Sequence, residues 1–428
     1  MKVSLENLVV IHLTATAIYT VVGCVSACGN KIQIKAVGIA KSEYFVGGRV
    51  THREKLVSSI KQSVRDAEEM ANVRIYSAGV SFATPELISN NRGETVEVLG
   101  EKVDYADMAR VLSQAKTNIT PENYYVVHHS HQFAWLDDGE PISDAIGLTA
   151  KNLAVSYHLM SMPTNSLGDI YNLFQSCNIH MEYPIFDVVS SAEYALMAEE
   201  KQNGVCLIDI GTHSTSICVY KGKVLVFTAC IPMGGSTVTT DIARELNISM
   251  AEAERLKRNF ATLNTTDISK DNFLDVTSIT GEKSVVSHYR LVEVAKARYD
   301  AIFDAVQEKM FEQSIDHGFT RDGVVLTGGA SSIKGIRSYL KRRWQTLVHI
   351  SNLNPKIVPY TQNMSEDNLK YLKLVIQDRV LHTAFGAMIY ATSEQFNLNQ
   401  KSDELARPKV SKVKKVLDSI FGAFKNLA

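Results

Sequence analysis

Asp209 stands at the end of the apolar run Val205–Ile208, and Gly211-Thr212-His213-Ser214 follows at once, before a β-rich segment, Ser216–Tyr220, returns. A carboxylate at a strand tip beside a tight, hydroxyl-bearing turn suits phosphate chemistry. The turn aims N–H groups and hydroxyls, here of Thr212 and Ser214, at phosphate oxygens, and the acid reaches Mg²⁺ or its water through an outer shell. Alone, such a turn says little. A second glycine element, VVLTGGASSIKG at Val324–Gly335, adds weight. There Gly328, Gly329 and Ala330 let the backbone approach a ligand closely, and a helix N-terminus adds positive potential. Between the two, Gly234-Gly235 opens a helical stretch that carries Glu254 and Lys257. Near the N-terminus, Ile11-His12-Leu13-Thr14-Ala15-Thr16 offers a further turn, with Thr14 and Thr16 able to bond a phosphate.

The elements that must position these groups follow from periodicity. Strands are predicted at Leu8–Leu13, Thr16–Cys24 and Lys31–Ala40, then a helix over Val50–Ala71 with Leu56, Ile60, Val64, Ala67 and Met70 at helical spacing. Residues 81–163 read differently: a charged, turn-rich start, a helix near Asp104–Lys116, and strands around Tyr124–Leu136 and Ile146–Met162. His128, His129 and His131 crowd one strand, but no carboxylate or Cys stands at ligand spacing, so they are expected on its solvent side and not on a metal. A βαβ rhythm resumes with helix Ser166–Ser176, strand His180–Val189 and helix Ser191–Glu200. Asp241–His317 is mainly helical with a strand-like excursion at Phe273–Val286; helix Ile333–Trp344, strand Val348–Ile350 and helix Leu381–Tyr390 close the body.

Two terminal segments carry their own message. Residues 391–409 are polar and read as a linker. Beyond it, at about 100° per residue, Val410, Val413, Val416, Leu417, Ile420, Phe421, Phe424 and Leu427 share one face. Lys412 and Lys414 border that face and Lys415 points away. Such a helix lies in a membrane interface, its apolar side among acyl chains and its ammonium groups at lipid phosphates; it is too short and too amphipathic to span. At the other end, the apolar run Val9–Val22 with Val25-Ser26-Ala27-Cys28 imitates a secretory signal, yet Glu6, His12 and three threonines interrupt it, and strand, turn, strand is the expected reading.

Composition narrows the classes. The 428 residues are 45% apolar, enough for more than one core, and the net charge of −1 gives no field to recruit nucleic acid. Six scattered cysteines with no CxxC pair read as reduced core residues of the cytoplasm.

DIGTHST (Asp209–Thr215) and VVLTGGASSIKG together resemble the actin-like ATPase superfamily and, within it, the FtsA family of bacterial cell-division proteins. The likeness extends to Gly234–Lys257, to IPMGG and to Val50–Ile75. It implies an α/β, actin-like (ribonuclease H-like) two-domain fold with four subdomains and a C-terminal amphipathic helix. The implied divisions are 1–80, 164–202 and 361–390 as subdomain 1A, 81–163 as 1C, 203–240 and 318–360 as 2A, and 241–317 as 2B. The linker at 391–409 and the membrane-targeting helix at 410–428 complete them. It also implies ATP with Mg²⁺ at Asp209, Glu254 and Lys257 beside the ribose, filament formation with further copies, and an anionic membrane under the helix. Ala297-Arg298-Tyr299 matches the signature that receives the acidic C-terminal tail of FtsZ, and 1C is expected to meet later division proteins. The place implied is the cytoplasmic face of the inner membrane at the division site. The first loop departs from the family pattern: His12 stands for an acidic residue and Thr14 for a glycine, and a neutral imidazole there cannot serve a metal's water shell. ATP binding with very slow hydrolysis is therefore expected. Asp187 is nearest by position to a water-orienting acid, a role not expected of it. A PilM-type pilus-assembly homologue and a kinase of the superfamily are the alternatives; the altered first loop speaks against the kinase.

Overall fold

The computed structural model describes residues 7–119, 121–266, 268–278, 281–313, 315, 323–362, 364–393 and 396–397. These form two compact units, one of the described residues within 7–91, 121–129 and 158–393, the other of residues 92–119, 130–157 and 396–397.

In the first unit β1 (Leu8–Leu13), β2 (Ala17–Val25) and β3 (Ile32–Lys41) make an antiparallel meander. The N-terminal apolar run is thus two paired strands. A small hairpin, β4 (Phe45–Val46) and β5 (Arg49–Val50), leads to α1 (Arg53–Ala71). Leu56, Ile60, Val64 and Ala67 bury one face of α1. The helix stops at Asn72, whose left-handed backbone (φ 51°) turns its N–H back to the Glu68 carbonyl. Then β6 (Ser77–Phe82) joins β1 in parallel. The inserted region supplies β7 (Ile88–Glu97), α2 (Tyr105–Ile119), β8 (Tyr124–Leu136) and β9 (Asn152–Pro163), and its strands pair in the order β7-β9-β8. After α3 (Thr164–Ser176), β10 (His180–Phe186) pairs in parallel with β6.

The second half repeats the plan. Two helices, α4 (Asp187–Ala195) and α5 (Ala198–Asn203), precede the meander β11 (Val205–Ile210), β12 (Thr215–Lys221) and β13 (Val224–Ile231). Helices α6 (Gly235–Leu246) and α7 (Met250–Phe260), the hairpin β14 (Phe273–Thr277) and β15 (Lys283–Ser287), and α8 (His288–Glu312) come next. β16 (Val324–Thr327) then joins β11 in parallel, and α9 (Ile336–Trp344) leads to β17 (Val348–Ile350). The sheets read β10-β6-β1-β2-β3 and β13-β12-β11-β16-β17: in both, the first strand of the meander holds the centre. β18 (Ile357–Pro359) extends the first sheet beside β3, and α10 (Glu366–Val375) and α11 (His382–Ala391) close the unit.

Every residue of β11 is buried, as a strand covered on both faces requires. A core from Cys206, Ile208 and Ile217 through Val238, Leu291, Tyr299 and Phe303 to Leu340 fastens α6, α8 and α9 to the second sheet. Helices α4 and α11 pack at backbone distance. A Cβ on Gly386 would lie 1.9 Å from the Ser190 carbonyl oxygen, so only glycine permits that crossing.

Several expectations are corrected. The strand expected over His180–Val189 ends at Phe186, because Asp187 opens α4, where an acid at a helix N-terminus is favourable. One helix over Ser191–Glu200 gives way to α4 and α5, separated where Leu196 turns extended. The imidazoles expected in solvent are inside: His128 and His129 are about 5% and 4% exposed. His128 Nε2 accepts the Phe186 N–H at 3.0 Å, which gives the ring a reason to be buried. β7, β18 and α10 were not expected; β7 (ISNNRGETVE) has too few apolar residues to show an alternation. The segment 410–428, with its face of Val413, Phe421 and Phe424, lies outside the described residues.

Candidate functional site

The repeated topology places Asp209 and His12 at matching positions. Each is the penultimate residue of its sheet's central strand, and each has one antiparallel and one parallel neighbour. His12 stands opposite Tyr19 and Ser81, Asp209 opposite Ser216 and Thr327. Matching turns follow: the Thr14 N–H donates to the Ala17 carbonyl at 3.1 Å, and the Gly211 N–H to the Ser214 carbonyl at 2.9 Å.

Asp209 is 9% exposed and well partnered. Its Oδ2 accepts the Ser191 hydroxyl of α4 and, at 3.4 Å, that of Thr383 on α11; the two hydroxyls are 3.0 Å apart. The Gly386 crossing holds α4 and α11 together and thereby sets these two groups. Oδ1 lies against Gly328, where an added Cβ would come within 2.3 Å. Burial pushes the Asp209 carboxyl up to about 6, with Asp187 adding repulsion, while the Ser191 and Thr383 hydroxyls and His12 pull the other way.

His12 is 3% exposed. Its Nδ1 lies 3.2 Å from Ser81 Oγ and 3.4 Å from Asp187 Oδ1, and Ser81 donates its hydroxyl to Asp187 at 2.5 Å. Since the one Ser81 proton goes to Asp187, the His12–Ser81 bond requires the proton to be on Nδ1. Burial alone would lower the His12 pKa, but Asp187, and beyond it Asp209, outweigh burial and raise it. The ring expected to be neutral is thus biased toward its charged form. Asp187 belongs to this cluster and touches His12 and Ser81.

The loop residues are tied to one another. Thr14 Oγ1 donates to the Ala17 carbonyl at 2.8 Å and accepts the N–H groups of Thr16 and Ala17, so this hydroxyl builds its own turn; Thr16 is exposed. In the second loop, the N–H groups of Gly235 and Ser236 donate to the carbonyls of Gly211 and Thr212 at 2.9 and 2.7 Å. The first turn of α6, entered from Gly234, is therefore joined to the loop and spends those two amides on it. What the loop presents is Thr212-His213-Ser214. His213 Nδ1 is buried there without a partner among the described residues, and burial lowers the ring's pKa.

On the far side, Glu254 Oε2 accepts Thr239 Oγ1 and Lys257 Nζ, both at 2.6 Å, and Arg258 holds its other oxygen at 2.7 Å. Burial alone would raise the Glu254 carboxyl, but Lys257, Thr239 and Arg258 bring it down to about 2. Lys257 Nζ also donates to the Gly235 carbonyl at 2.9 Å. A Cβ on Gly235 would stand 3.1 Å from Ala330, and the Tyr299 hydroxyl pins the Ala330 carbonyl at 2.6 Å. Gly235, Glu254, Lys257 and Ala330 thus converge, next to Gly329 and to Gly328, whose carbonyl accepts Ser331 Oγ at 2.6 Å.

Arg298 lies elsewhere. Its Nε donates to Asp241 Oδ2 of α6 at 2.5 Å, with about 28% of the side chain exposed. Ser191, Thr383 and Ser81 had not been singled out in the sequence. Only the Ser190-Ser191 pair inside an apolar stretch hinted at buried hydroxyls, and Thr383 carries no local signal.

The residues do not fit a resident Mg²⁺. Of the Asp209 carboxylate, one oxygen holds two hydroxyls and the other faces the space where a Cβ on Gly328 would stand, and the matching position carries an imidazole. No group of three His, Cys, Asp or Glu able to hold a metal occurs among the described residues. A divalent ion carried in on a nucleotide's phosphates belongs to the ligand.

Comparison with known proteins places this geometry. The family model "Cell division protein FtsA" matches residues 206–371, and "SHS2 domain inserted in FTSA" matches residues 86–161, together more than half of the chain. The chain is 27% identical to the cell division protein FtsA of Pseudomonas aeruginosa, over 97% of this chain and 98% of that one. It is 28% identical to that of Escherichia coli K12, over 74% and 78%. Among solved structures it is similar to the PilM-PilN type IV pilus biogenesis complex (TM-score 0.63, 14% identity, 90% and 98% covered). It is also similar to MreB5 of Spiroplasma citri bound to ADP (TM-score 0.55, 14% identity, 92% and 98% covered). These structures share its fold, which is actin-like. The chain belongs to the FtsA family of the actin-like ATPase superfamily.

Proposed function

We propose that this protein binds ATP at the site around Asp209 and, as a filament on the cytoplasmic face of the inner membrane, tethers the FtsZ division ring. The observation that carries the nucleotide reading is the meeting of Gly328–Ala330 with Gly235, Lys257 and Glu254 beside the Asp209 loop. A backbone shelf without side chains suits a flat base, a fixed carboxylate beside an ammonium suits ribose hydroxyls, and the Thr212–Ser214 turn suits phosphates. The Lys257–Glu254–Thr239 network is satisfied internally, so it is rigid before a ligand arrives. A relative of the same fold is described as bound to ADP.

The tethering reading rests on family membership and on the chain's terminal segment. No described helix is long and apolar enough to cross a membrane. Attachment would come from Val413, Val416, Leu417, Ile420, Phe421, Phe424 and Leu427, with Lys412 and Lys414 at the rim and Lys415 on the opposite side. One such helix binds weakly; a filament presents many, and avidity makes attachment steep. The acidic FtsZ tail would be received by Arg298, exchanging Asp241 for a tail carboxylate. Residues 81–163 would meet later division proteins. A phosphoryl-transfer enzyme is disfavoured by His12 and by a Thr14 hydroxyl already spent in its own turn.

Titration calorimetry with Mg–ATP tests the nucleotide claim. Binding is expected, with turnover below about 1 s⁻¹, the low end of usual enzyme rates. Absence of heat under any condition removes the ATP reading, and faster turnover removes the view of the protein as a tether rather than a catalyst.

A further inference from the structure

Three ionisable groups meet at the floor of the site: His12 from β1, Asp187 from α4 and Asp209 from β11. Ser191, which donates to Asp209, stands one helical turn after Asp187 on α4, so both buried carboxylates come to the same side of that helix, where a nearby cation offsets their repulsion. Among the described residues neither makes an ion pair with a lysine or an arginine, and the charged partner of Asp187 is His12 at 3.4 Å. The repeated topology gives the arrangement a plain form. One central strand ends in an acid, the other in a base, at matching positions, so the halves of the molecule bring opposite charges to the same floor.

We propose that His12 is a built-in cation of the phosphate site, an imidazolium that neutralises the Asp187–Asp209 pair where a divalent ion would otherwise be needed, so that a nucleoside triphosphate binds with little dependence on added Mg²⁺. The assignment of His12 deepens the ATP reading given above and rests on it only for the ligand. The mechanism is electrostatic. With His12 charged, the floor carries one negative charge fewer against the incoming phosphates, and in a buried setting that difference acts at short range with little screening. Ser81 relays the interaction, accepting from Nδ1 and donating to Asp187. Burial works against this charge, but no neighbouring cation among the described residues does. Tyr19 of β2 faces the ring at 6.1 Å between centroids, and burial holds its phenol protonated, up to about 12. Helix α11, which packs on β1, brings Tyr390 and a His382 whose pKa burial and Arg379 lower to about 4. From β6 the neighbour is the uncharged Ser81.

Two measurements on the full chain decide the matter. Nitrogen NMR of protein labelled in histidine, with His12→Gln to assign the signal, should show both Nδ1 and Nε2 of His12 protonated at about pH 7.5 without nucleotide. Asp187→Asn should return the ring to a neutral tautomer, which keeps the test alive if His12→Gln fails to fold. A neutral His12 in the unaltered protein overturns the proposal whatever the protein binds. Binding of a fluorescent ATP analogue is then compared in Mg²⁺ and in EDTA. The affinity of the unaltered protein should change less than about threefold and that of His12→Asp more than about tenfold. A loss of tenfold or more in the unaltered protein also overturns the proposal. If nucleotide binds in neither condition, the ATP reading fails by itself, and the NMR result still decides the charge of His12.

Discussion

Replacing Gly328 by alanine should destabilise the protein by about 3–5 kcal/mol and abolish nucleotide binding. The backbone there has φ 84° and ψ 158°, a region that side chains avoid. The new Cβ would also come within 2.3 Å of Asp209 Oδ1 and 2.5 Å of the Ile210 carbonyl oxygen. Neither neighbour can yield cheaply: Ile210 is the buried end of β11, and Asp209 is held by Ser191 and Thr383. Chemical denaturation checks the stability and calorimetry the binding. Gly29→Ala is a useful contrast, since Gly29 has nothing within 4 Å of an added Cβ and carries only the backbone penalty of its positive φ. Equal effects of the two substitutions would mean that the contact with Asp209 carries no weight.

Asp209→Asn should act in the opposite sense on stability. The folded pKa of Asp209 is raised to about 6 by burial, above that of the unfolded chain. Its favourable contribution is therefore fully present below about pH 4 and is lost as pH rises through about 6; above that the folded protein bears a buried charge. The amide keeps an acceptor for Ser191 and carries no charge. At about pH 8 the variant should gain on the order of 2 kcal/mol, and at about pH 4 most of the gain should vanish as the unaltered carboxyl takes up its proton. Urea midpoints at the two pH values read this directly. A variant less stable at pH 8 would show that hydrogen bonds to the carboxylate outweigh its burial. Nucleotide affinity should fall as stability rises, the usual sign of a site that holds strain for function.

Local signals account for what could be read in advance. The run into Asp209 and the two-glycine turn after Val324–Thr327 are each written within a dozen residues and survive without knowledge of the fold, whereas Glu254 and Lys257 stood out only through the family likeness. Contacts made across the chain were not legible. Ser191 and Thr383 meet at Asp209 only because α4 and α11 cross at Gly386, and no sequence window holds both. His128 and His129 sit in a strand whose alternation suggests a wet face, but at that end both faces are covered. His12 was legible as a substitution and not as a charge, because its state depends on Asp187, far along the chain. The turn from strand to helix at Asp187 was missed for a related reason: PIFDVVSS is a buried run whose hydrophobic pattern fits either element.

The proposed link between the FtsZ ring and the membrane runs through residues 410–428. Co-sedimentation of FtsZ with anionic vesicles, in the presence of this chain and ATP, decides whether it does. Each of Phe421 and Phe424 should contribute about 1–2 kcal/mol when partly buried in the interface, and each nearby lysine about 1 kcal/mol at an anionic surface. Attachment should weaken in high salt and persist, since screening removes the lysine part alone. FtsZ should pellet with vesicles when the intact chain is present, and stay in solution when Phe421→Asp and Phe424→Asp are combined, although that variant still binds ATP. FtsZ carried down equally well by the double variant, or left in solution by the intact chain, would contradict this link.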